Sequence, residues 1–311
     1  MTRSIRDIQR IQLETLIDIR HVCEKHGLTY MLYCGTLLGC IRHGGFIPWD
    51  DDVDIAMPLA DYRAFLKIFP AEMSDKYAVE SLFSHLYASS TWCKVCRKHT
   101  VYTRREVLHL RFCKGISVDI YPLIGAADFP RFERIQSTLL LACSAFRSTE
   151  YRKATGYRLP NEKQQRIIGL FDRLPRVIRY ILCRLFLSVC MLDPGKHLRC
   201  GTIDAAPFQG KFTRSDLRRL TTGIFEGESF RIPAEYDRLL TIMYGDYMQL
   251  PPEWARTPHY SEETVIRIPE EILRRAPALT TKGGTDLPVP GSEGGSSQPD
   301  DSPAVQPEVR A

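Results

Sequence analysis

The first segment of the chain has apolar residues that recur every three or four positions, which is the spacing of one helix face. Gly27 follows the segment, and glycine is common just past the end of a helix. The pattern therefore predicts an amphipathic leading helix. Its apolar positions are Ile5, Ile8, Ile11, Leu13, Leu16, Ile17, Ile19 and Val22.

The pattern changes after this helix. Residues 28–33 form an apolar run suited to a strand, and Gly35 and Thr36 suit a turn. Residues 36–43 follow as a short helix whose N-terminus faces that turn. Free backbone N–H groups at such an end, together with the Thr36 hydroxyl, form a place for a phosphate group.

A second strand is predicted where Val53, Ile55 and Met57 alternate with other residues, because side chains of a strand alternate between its two faces. Further strands are predicted at residues 77–82, 91–97 and 115–123, and further helices at 58–69, 132–146 and 165–192. The fold class is therefore α/β, with a mixed α+β sheet.

The strands concentrate in residues 1–125, which we expect to form the catalytic core. Residues 126–280 are mainly helical and complete the same domain. Residues 281–311 are rich in glycine, serine and proline and contain few large apolar residues. Such a segment buries too little surface to offset the entropy of ordering, and we expect a disordered tail.

Composition and charge limit the size of the core, the class of partner and the cysteine chemistry that the sequence suggests. At 311 residues and 44% hydrophobic content, the chain is long enough for a sizeable core. The net charge of +5 suits a polyanionic substrate or an anionic membrane surface, and it is too small to indicate a nucleic-acid partner. The ten cysteines show no spacing of a disulfide framework, and Cys93 and Cys96 form a lone CxxC pair that suits buried thiols better than zinc.

We expect a cytoplasmic protein, because the first residues lack the apolar stretch of a signal peptide. No run approaches 18 apolar residues, so a transmembrane helix is not predicted. In residues 165–192, four arginines interleave with aliphatic residues. That arrangement is typical of a core-facing helix with solvated arginines. The alternative is peripheral contact with the inner face of an anionic membrane.

Four aspartates mark the entrance of the second strand: Asp50, Asp51, Asp52 and Asp54. A run of like charges is usually a solvated loop. Here it is held between an apolar Phe-Ile-Pro-Trp segment and a β-branched strand. Asp52 and Asp54 face the same side of the strand, roughly 6–7 Å apart. Oxygen ligands at this spacing suit Mg²⁺, with Mn²⁺ as an alternative.

Two basic residues, Arg42 and His43, precede the aspartates in the sequence. Arg42 suits bidentate contact with phosphate. His43 suits either an orienting hydrogen bond or a role as a base. Asp119 is a single acid within the apolar run at residues 115–123, and a buried carboxylate needs a cation or hydrogen-bond partners.

The stretch GTLLGCIRHGGFIPWDDDVDIAM resembles the signature of the LicD family, which is related to fukutin and fukutin-related protein. The resemblance implies a nucleotidyltransferase-like core with a helical C-terminal elaboration. It also implies a metal site formed by an acid-x-acid pair and a third acid, here Asp52, Asp54 and Asp119. The segment GISVDIYPL is similar to the family segment that carries the third acid.

The family is similar to enzymes that move a phospho-alcohol from a CDP carrier to a cell-surface glycan. The resemblance thus implies a CDP-alcohol donor, a glycan or glycolipid acceptor and release of CMP. It places Lys94 and Arg256 near the donor phosphates, together with Gly35, Thr36, Arg42 and His43. Either Asp50 or Asp51 would take the proton of the acceptor hydroxyl.

Three other functions use similar residues. A nucleotidyltransferase would attack an NTP and release pyrophosphate, an acid-x-acid glycosyltransferase would use a nucleotide sugar, and a binding module would be non-catalytic. The glycosyltransferase leaves the upstream GTLLG turn unexplained, and a binding module would be expected to have lost acids. A choline group would require aromatic walls, for which Trp92, Tyr102 and Tyr121 are candidates. The oligomeric state stays open.

Overall fold

The computed structural model describes most of the chain up to residue 280. The described residues are 4–83, 86–88, 90–126, 130–156, 169, 172–192, 197–200, 212–213, 219–258 and 263–280. The predicted tail at 281–311 and most of residues 157–171 lie outside them.

The helices of the described residues differ from the prediction mainly at their ends. Residues of the predicted Gly35-Thr36 turn lie inside the first turn of the second helix, so the prediction of a separate turn is wrong. The helix starts directly after the strand because Leu37 N–H already bonds to the Tyr33 carbonyl at 3.1 Å. The helices are α1 (Ile5–Lys25), α2 (Cys34–His43), α3 (Leu59–Met73), α4 (Pro130–Thr155), α5 (Arg176–Cys190), α6 (Tyr236–Tyr244) and α7 (Glu270–Arg275).

Five strands overlap the segments predicted at 28–33, 53–57, 77–82, 91–97 and 115–123, although the first is only two residues long. The remaining strands were not predicted, and all but the one at Val101–Arg104 lie in residues 126–280, which the sequence suggested were mainly helical. Short 3-10 helices occur at Arg105–Val107 and Glu253–Ala255. The strands are β1 (Met31–Leu32), β2 (Asp54–Pro58), β3 (Tyr77–Glu80), β4 (Cys93–Arg97), β5 (Val101–Arg104), β6 (Ser117–Ala126), β7 (His197–Cys200), β8 (Phe212–Thr213), β9 (Leu220–Phe225), β10 (Glu228–Pro233) and β11 (Thr264–Arg267).

The main sheet is mixed and is built around β6. Its order is β1-β2-β6-β4-β3, and β7 pairs with the far end of β6 and with β8. The β2–β6 pair is parallel, whereas β4 and β7 run antiparallel to β6. Two small antiparallel sheets, β9–β10 and β5–β11, complete the strands. The α/β fold class with a mixed sheet is confirmed.

The two faces of this sheet have different coverings. Ile55, Val118 and Ile120 belong to a core cluster with Leu16 of α1 and Phe65 of α3. Ala56 and Leu123 face the other way, in a smaller cluster with Tyr33 and Leu239 of α6. Strand residues alternate between the two faces of a sheet. Asp54 and Asp119, which precede Ile55 and Ile120, therefore lie on the face that α6 covers.

The leading helix is buried along its apolar face, as predicted. Ser4 and Asp7 form a capping box that satisfies backbone N–H groups at its start. Cys93 and Cys96 are buried in the sheet, at 0% and 1% exposure. This position agrees with the interpretation of these cysteines as core thiols.

Candidate functional site

The parallel pairing of β2 and β6 brings two of the predicted acids together. Asp54 and Asp119 are register partners on neighbouring strands, which lie about 4.8 Å apart. Asp54 is only 9% exposed. Burial raises the pKa of the Asp54 carboxyl well above its usual range, and the negative charges of Asp52 and Asp119 raise it further. The structure therefore concentrates negative charge that a cation would stabilise.

Two glutamines of α1 bind the backbone of the acidic loop, residues 50–52. The Gln9 side-chain amide donates to the Asp50 carbonyl at 2.8 Å, and that of Gln12 donates to the Asp51 carbonyl at 2.7 Å. Both glutamines are buried. Sequence reasoning missed them, although Gln12 lies four residues before Leu16 and so on the apolar stripe, where a polar residue signals a fixed partner.

Asp50 lies against the start of α2. A Cβ atom added to Gly35 would meet the Asp50 carboxylate oxygen at 2.7 Å. Glycine is therefore required for this close approach, and the positive end of the helix dipole favours a carboxylate there. The place predicted for a phosphate thus holds the Asp50 side chain. Gly35 as a donor-binding residue stays a prediction.

Thr36 connects the same helix turn to β2. Its hydroxyl oxygen accepts a hydrogen bond from the Asp54 backbone N–H at 2.8 Å. The residue is 3% exposed. Thr36 therefore positions the backbone that carries Asp54, and contact between its hydroxyl and a phosphate stays a prediction.

The third predicted acid has several donors around it. The Lys94 ammonium group lies 2.8 Å from an Asp119 oxygen, and the Trp92 indole N–H donates to the same oxygen at 2.6 Å. Ser117 donates to the other oxygen at 3.1 Å. Although burial alone would lower the pKa of Lys94, the charge and hydrogen bond of Asp119 raise it overall. Lys94 is therefore charged and held beside the acids.

Aromatic rings line the sheet beside these acids. The Trp92 and Tyr121 rings are stacked with centroids 5.4 Å apart, and Tyr33 lies 5.9 Å from Tyr121. Lys94 lies 5.5 Å from the centre of the Trp92 ring. Tyr121 shares the face of Asp119 because the two are two residues apart on β6. This aromatic wall contains two of the three predicted aromatic candidates.

The remaining candidate, Tyr102, lies elsewhere. Its hydroxyl donates to the Asp51 carboxylate, and its ring packs against the core cluster between α1 and α7. Asp51 is 2% exposed. The contacts give Asp51 a structural role, which separates it from the other three aspartates of the run.

One residue that sequence reasoning missed is Tyr244, at the C-terminal end of α6. Burial raises the pKa of the Tyr244 hydroxyl, and the nearby Cys34 thiol and Asp54 carboxylate raise it further. The hydroxyl therefore stays protonated. Residue 244 is far from residues 50–54 in the sequence, and no local signal indicates that the two are near each other.

The predicted basic residues form a second group, at the other end of α2. Gly35 and Arg42 are separated by about 10 Å along the helix. An Arg42 Nη donates to the Tyr247 carbonyl at 2.7 Å. The Arg256 guanidinium lies 5.6 Å from the centre of the Trp49 ring. We call Arg42, His43, Trp49 and Arg256 the basic end of α2.

His43 in this group is neutral at physiological pH. Burial and the positive charge of Arg42 lower its pKa to about 4, and its ring meets Trp49 edge-on at 6.2 Å. Trp49, which His43 contacts, directly precedes Asp50 in the sequence. The role of Arg42, His43 and Arg256 in donor binding stays a prediction.

The chemistry of the acids suits a hard cation, but the arrangement is not a closed metal cage. Among the described residues, no group of three His, Cys, Asp or Glu side chains is arranged to hold a metal ion. Lys94 already compensates the charge of Asp119. Mg²⁺ is commonly held by one or two carboxylates plus substrate phosphates, and Asp52 with Asp54 fits that description.

Comparison with known proteins identifies relatives of this architecture. Residues 27–130 match the family described as "LicD/FKTN/FKRP, nucleotidyltransferase domain". The lipopolysaccharide cholinephosphotransferase LicD of Haemophilus influenzae is 26% identical over 274 residues, which cover 85% of this chain and 98% of that protein. The human and mouse ribitol 5-phosphate transferase FKRP are 48% identical over 48 residues, which cover 15% of this chain and 10% of theirs. The family resemblance is confirmed.

Proposed function

We propose, from the match of residues 27–130 to the family described as LicD/FKTN/FKRP, nucleotidyltransferase domain, that this protein transfers a phospho-alcohol from an activated donor to a hydroxyl of a cell-surface glycan. The pairing of Asp54 with Asp119 on parallel strands, with Asp54 buried among like charges, carries the proposal. The likeness to a lipopolysaccharide cholinephosphotransferase along 85% of the chain supports this substrate class.

The donor in this proposal is a CDP-alcohol. Asp52 and Asp54 would hold Mg²⁺, or Mn²⁺ in its place, with Asp119 as the predicted third ligand. When bound, the ion would supply positive charge to the phosphates of the donor. Lys94 adds a fixed positive charge from the protein beside the same acids. Electrostatic stabilisation of this kind supplies most of the rate in phosphoryl transfer.

The aromatic wall of Trp92, Tyr121 and Tyr33 is the proposed contact for the alcohol. A quaternary ammonium group such as that of choline binds well to the faces of such rings. Ribitol or glycerol would instead use polar groups such as the Lys94 ammonium group beside Asp119. Phosphocholine is the group that the wall favours.

The acceptor hydroxyl attacks the phosphorus next to the alcohol. A new P–O bond forms to the glycan, the P–O bond to CMP breaks, and the hydroxyl proton passes to a carboxylate. Of the two candidate bases, Asp51 is buried against Tyr102, whereas Asp50 lies at the start of α2 next to the site. Asp50 is therefore the proposed base.

The test measures CMP release from CDP-choline, CDP-ribitol and CDP-glycerol, with Mg²⁺ and with EDTA, in the presence of a glycan-rich extract. Metal-dependent CMP from CDP-choline is the expected result. Asp54→Asn should abolish release, and Asp75→Asn, which changes an exposed aspartate remote from the sheet face, should not.

A parallel reaction with CTP separates the alternative. Pyrophosphate from CTP without CMP from any CDP-alcohol would contradict the proposal and indicate a nucleotidyltransferase. CMP release that persists in EDTA, or in Asp54→Asn, would contradict the metal site.

A further inference from the structure

The hairpin of α4 and α5 buries apolar side chains, among them Cys183 and Leu187, together with a charged one, and it also exposes aliphatic side chains on its outer side. Helix α5 packs against α4, with the Gln136 amide donating to the Cys190 carbonyl at 3.0 Å. On its buried side Arg179 is 5% exposed and lies 2.7 Å from Glu150. The sequence favoured a core-facing helix with solvated arginines, and for Arg179 this is wrong because Glu150 pairs with it inside the hairpin.

The outward side of α5 carries a row of exposed aliphatic side chains. Ile181 and Leu185 are each 57% exposed, and Val177 is 54% exposed. Their spacing of four residues places them in one row along the helix. Phe132 and Ile135 of α4 are exposed too, and the Gln136–Cys190 contact places them near the end of this row. We call the set the aliphatic face: Phe132, Ile135, Val177, Ile178, Ile181, Leu185, Val189 and Leu192.

Positive charge accompanies this face. Helix α5 contains three arginines and no acidic residue. Arg184 on α5 and Arg173 just before it are exposed, as are Arg131 and Arg134 at the start of α4. Two acidic residues lie next to them in the sequence: Glu133, which is partly buried, and Asp172, which pairs with Arg152. Aliphatic residues flanked by arginines are typical of helices that lie in the interface of an anionic bilayer.

We infer that the aliphatic face docks on an anionic membrane surface, with its aliphatic side chains among the acyl chains and Arg131, Arg134, Arg173 and Arg184 at the lipid phosphates. Large contiguous apolar patches on a protein surface mark interaction sites, and the arginines select a negatively charged partner. Within the described residues no helix is both long and apolar enough to span a bilayer. The contact in this proposal is therefore peripheral.

The experiment is flotation of the full-length protein with vesicles of phosphatidylcholine alone and of phosphatidylcholine with phosphatidylglycerol. Binding to the anionic vesicles, weakened by salt, is expected. The double variant Ile181→Ser/Leu185→Ser should bind at least about tenfold more weakly, because each residue loses its apolar burial. Arg184→Gln should weaken binding about fivefold.

Matched controls change the same residue types on other surfaces. Ile224→Ser/Met248→Ser alters two side chains that are 54% and 56% exposed, and Arg274→Gln alters an exposed arginine of α7. Neither should change vesicle binding. Circular dichroism and thermal melting identify any variant that fails to fold.

Three results would overturn the inference. The first is equal binding to neutral and anionic vesicles, and the second is equal loss in the control variants. The third is no vesicle binding together with light scattering that shows a dimer converted to a monomer by Ile181→Ser/Leu185→Ser, which would make the face an interface between copies. Vesicle binding requires no turnover, so its failure leaves the proposed function intact.

Discussion

The two ends of α2 have different surroundings. Its first turn contains no acidic residue but lies against the carboxylate of Asp50, whereas its last turn contains Arg42 and His43. At the start of the helix, Gly35 and Thr36 contact the acidic loop and β2. At its end, Arg42 donates to the Tyr247 carbonyl in the C-terminal part of the chain, and the His43 ring meets the Trp49 ring. The motif is continuous in sequence, yet its Gly35 and Arg42 lie about 10 Å apart along the helix and contact different parts of the chain. Adjacency along the chain does not establish that residues serve one ligand.

The largest effect is expected at the acidic end. Asp54→Asn should lower turnover at least about a thousandfold, because it removes a charge that positions the donor phosphates. The CMP-release assay described above measures this change. Residual activity within about tenfold of wild type would remove Asp54 from the proposed machinery.

The same substitution should stabilise the fold at neutral pH. Since the pKa of Asp54 is raised in the folded state, the protonated carboxyl favours folding at low pH, and this contribution is lost as the pH rises through that pKa. Asn remains neutral, so its melting temperature at pH 7 should rise by about 2–4 °C. The gain should shrink toward pH 4, and Asp75→Asn should show none.

Substitution of two glycines of α2 should separate an effect on catalysis from an effect on folding. In Gly35→Ala the new methyl meets the flexible Asp50 carboxylate at 2.7 Å, whereas in Gly39→Ala it meets the Gly45 backbone carbonyl at 2.5 Å. Gly35→Ala should lower turnover about 10- to 100-fold by displacing Asp50, with little loss of stability. Gly39→Ala should instead destabilise the protein, which chemical denaturation will measure. Equal losses of stability in both variants would contradict a site role for Gly35.

The glutamine contacts of α1 should produce an intermediate effect. Gln12→Leu leaves the Asp51 carbonyl without its donor and should cost about 1–3 kcal/mol of unfolding free energy, together with a fall in turnover. Gln136→Leu is the control, because Gln136 also donates to two carbonyls but lies in the α4–α5 hairpin. It should lose similar stability while the specific activity of its folded fraction is unchanged.

The smallest effect is expected at the basic end. Arg256→Ala removes the contact with the Trp49 ring and should cost about 0.5–1 kcal/mol. If this end binds no donor, the KM for the CDP-alcohol stays within about twofold of wild type. A rise of tenfold or more in KM at unchanged stability would join the two ends of α2 into one site.

The sequence predicts the local elements because their signals are local. The apolar stripe of α1 and the alternation of β2 each lie within a short window, and the structure has elements at both places. The neighbour relations of β6 depend instead on pairing between distant segments. From the residues alone Asp119 needs a cation or hydrogen-bond partners, and only the family resemblance associates it with Asp54.

Side-chain partners were harder to predict than the elements. Asp50 and Asp51 are equivalent in the sequence, yet one lies against Gly35 and the other against Tyr102. Lys94 was expected at phosphates and lies on Asp119. Helix α5 buries Cys183 and Leu187 against α4, as a core-facing helix should, but its periodicity did not indicate that its other side would carry exposed aliphatic residues. These differences depend on three-dimensional packing, which a window of sequence does not contain.

The β2–β6 register also has a consequence for how the chain folds. Residues 54 and 119 are far apart in sequence, and closing such a loop costs entropy before any contact is gained. The β2–β6 pairing that must form places two carboxylates opposite each other on adjacent strands. Like charges in this position oppose strand pairing. Refolding should therefore accelerate in mild acid, where one carboxylate is protonated. We therefore expect the acidic cluster that would recognise the donor also to slow the folding of the chain.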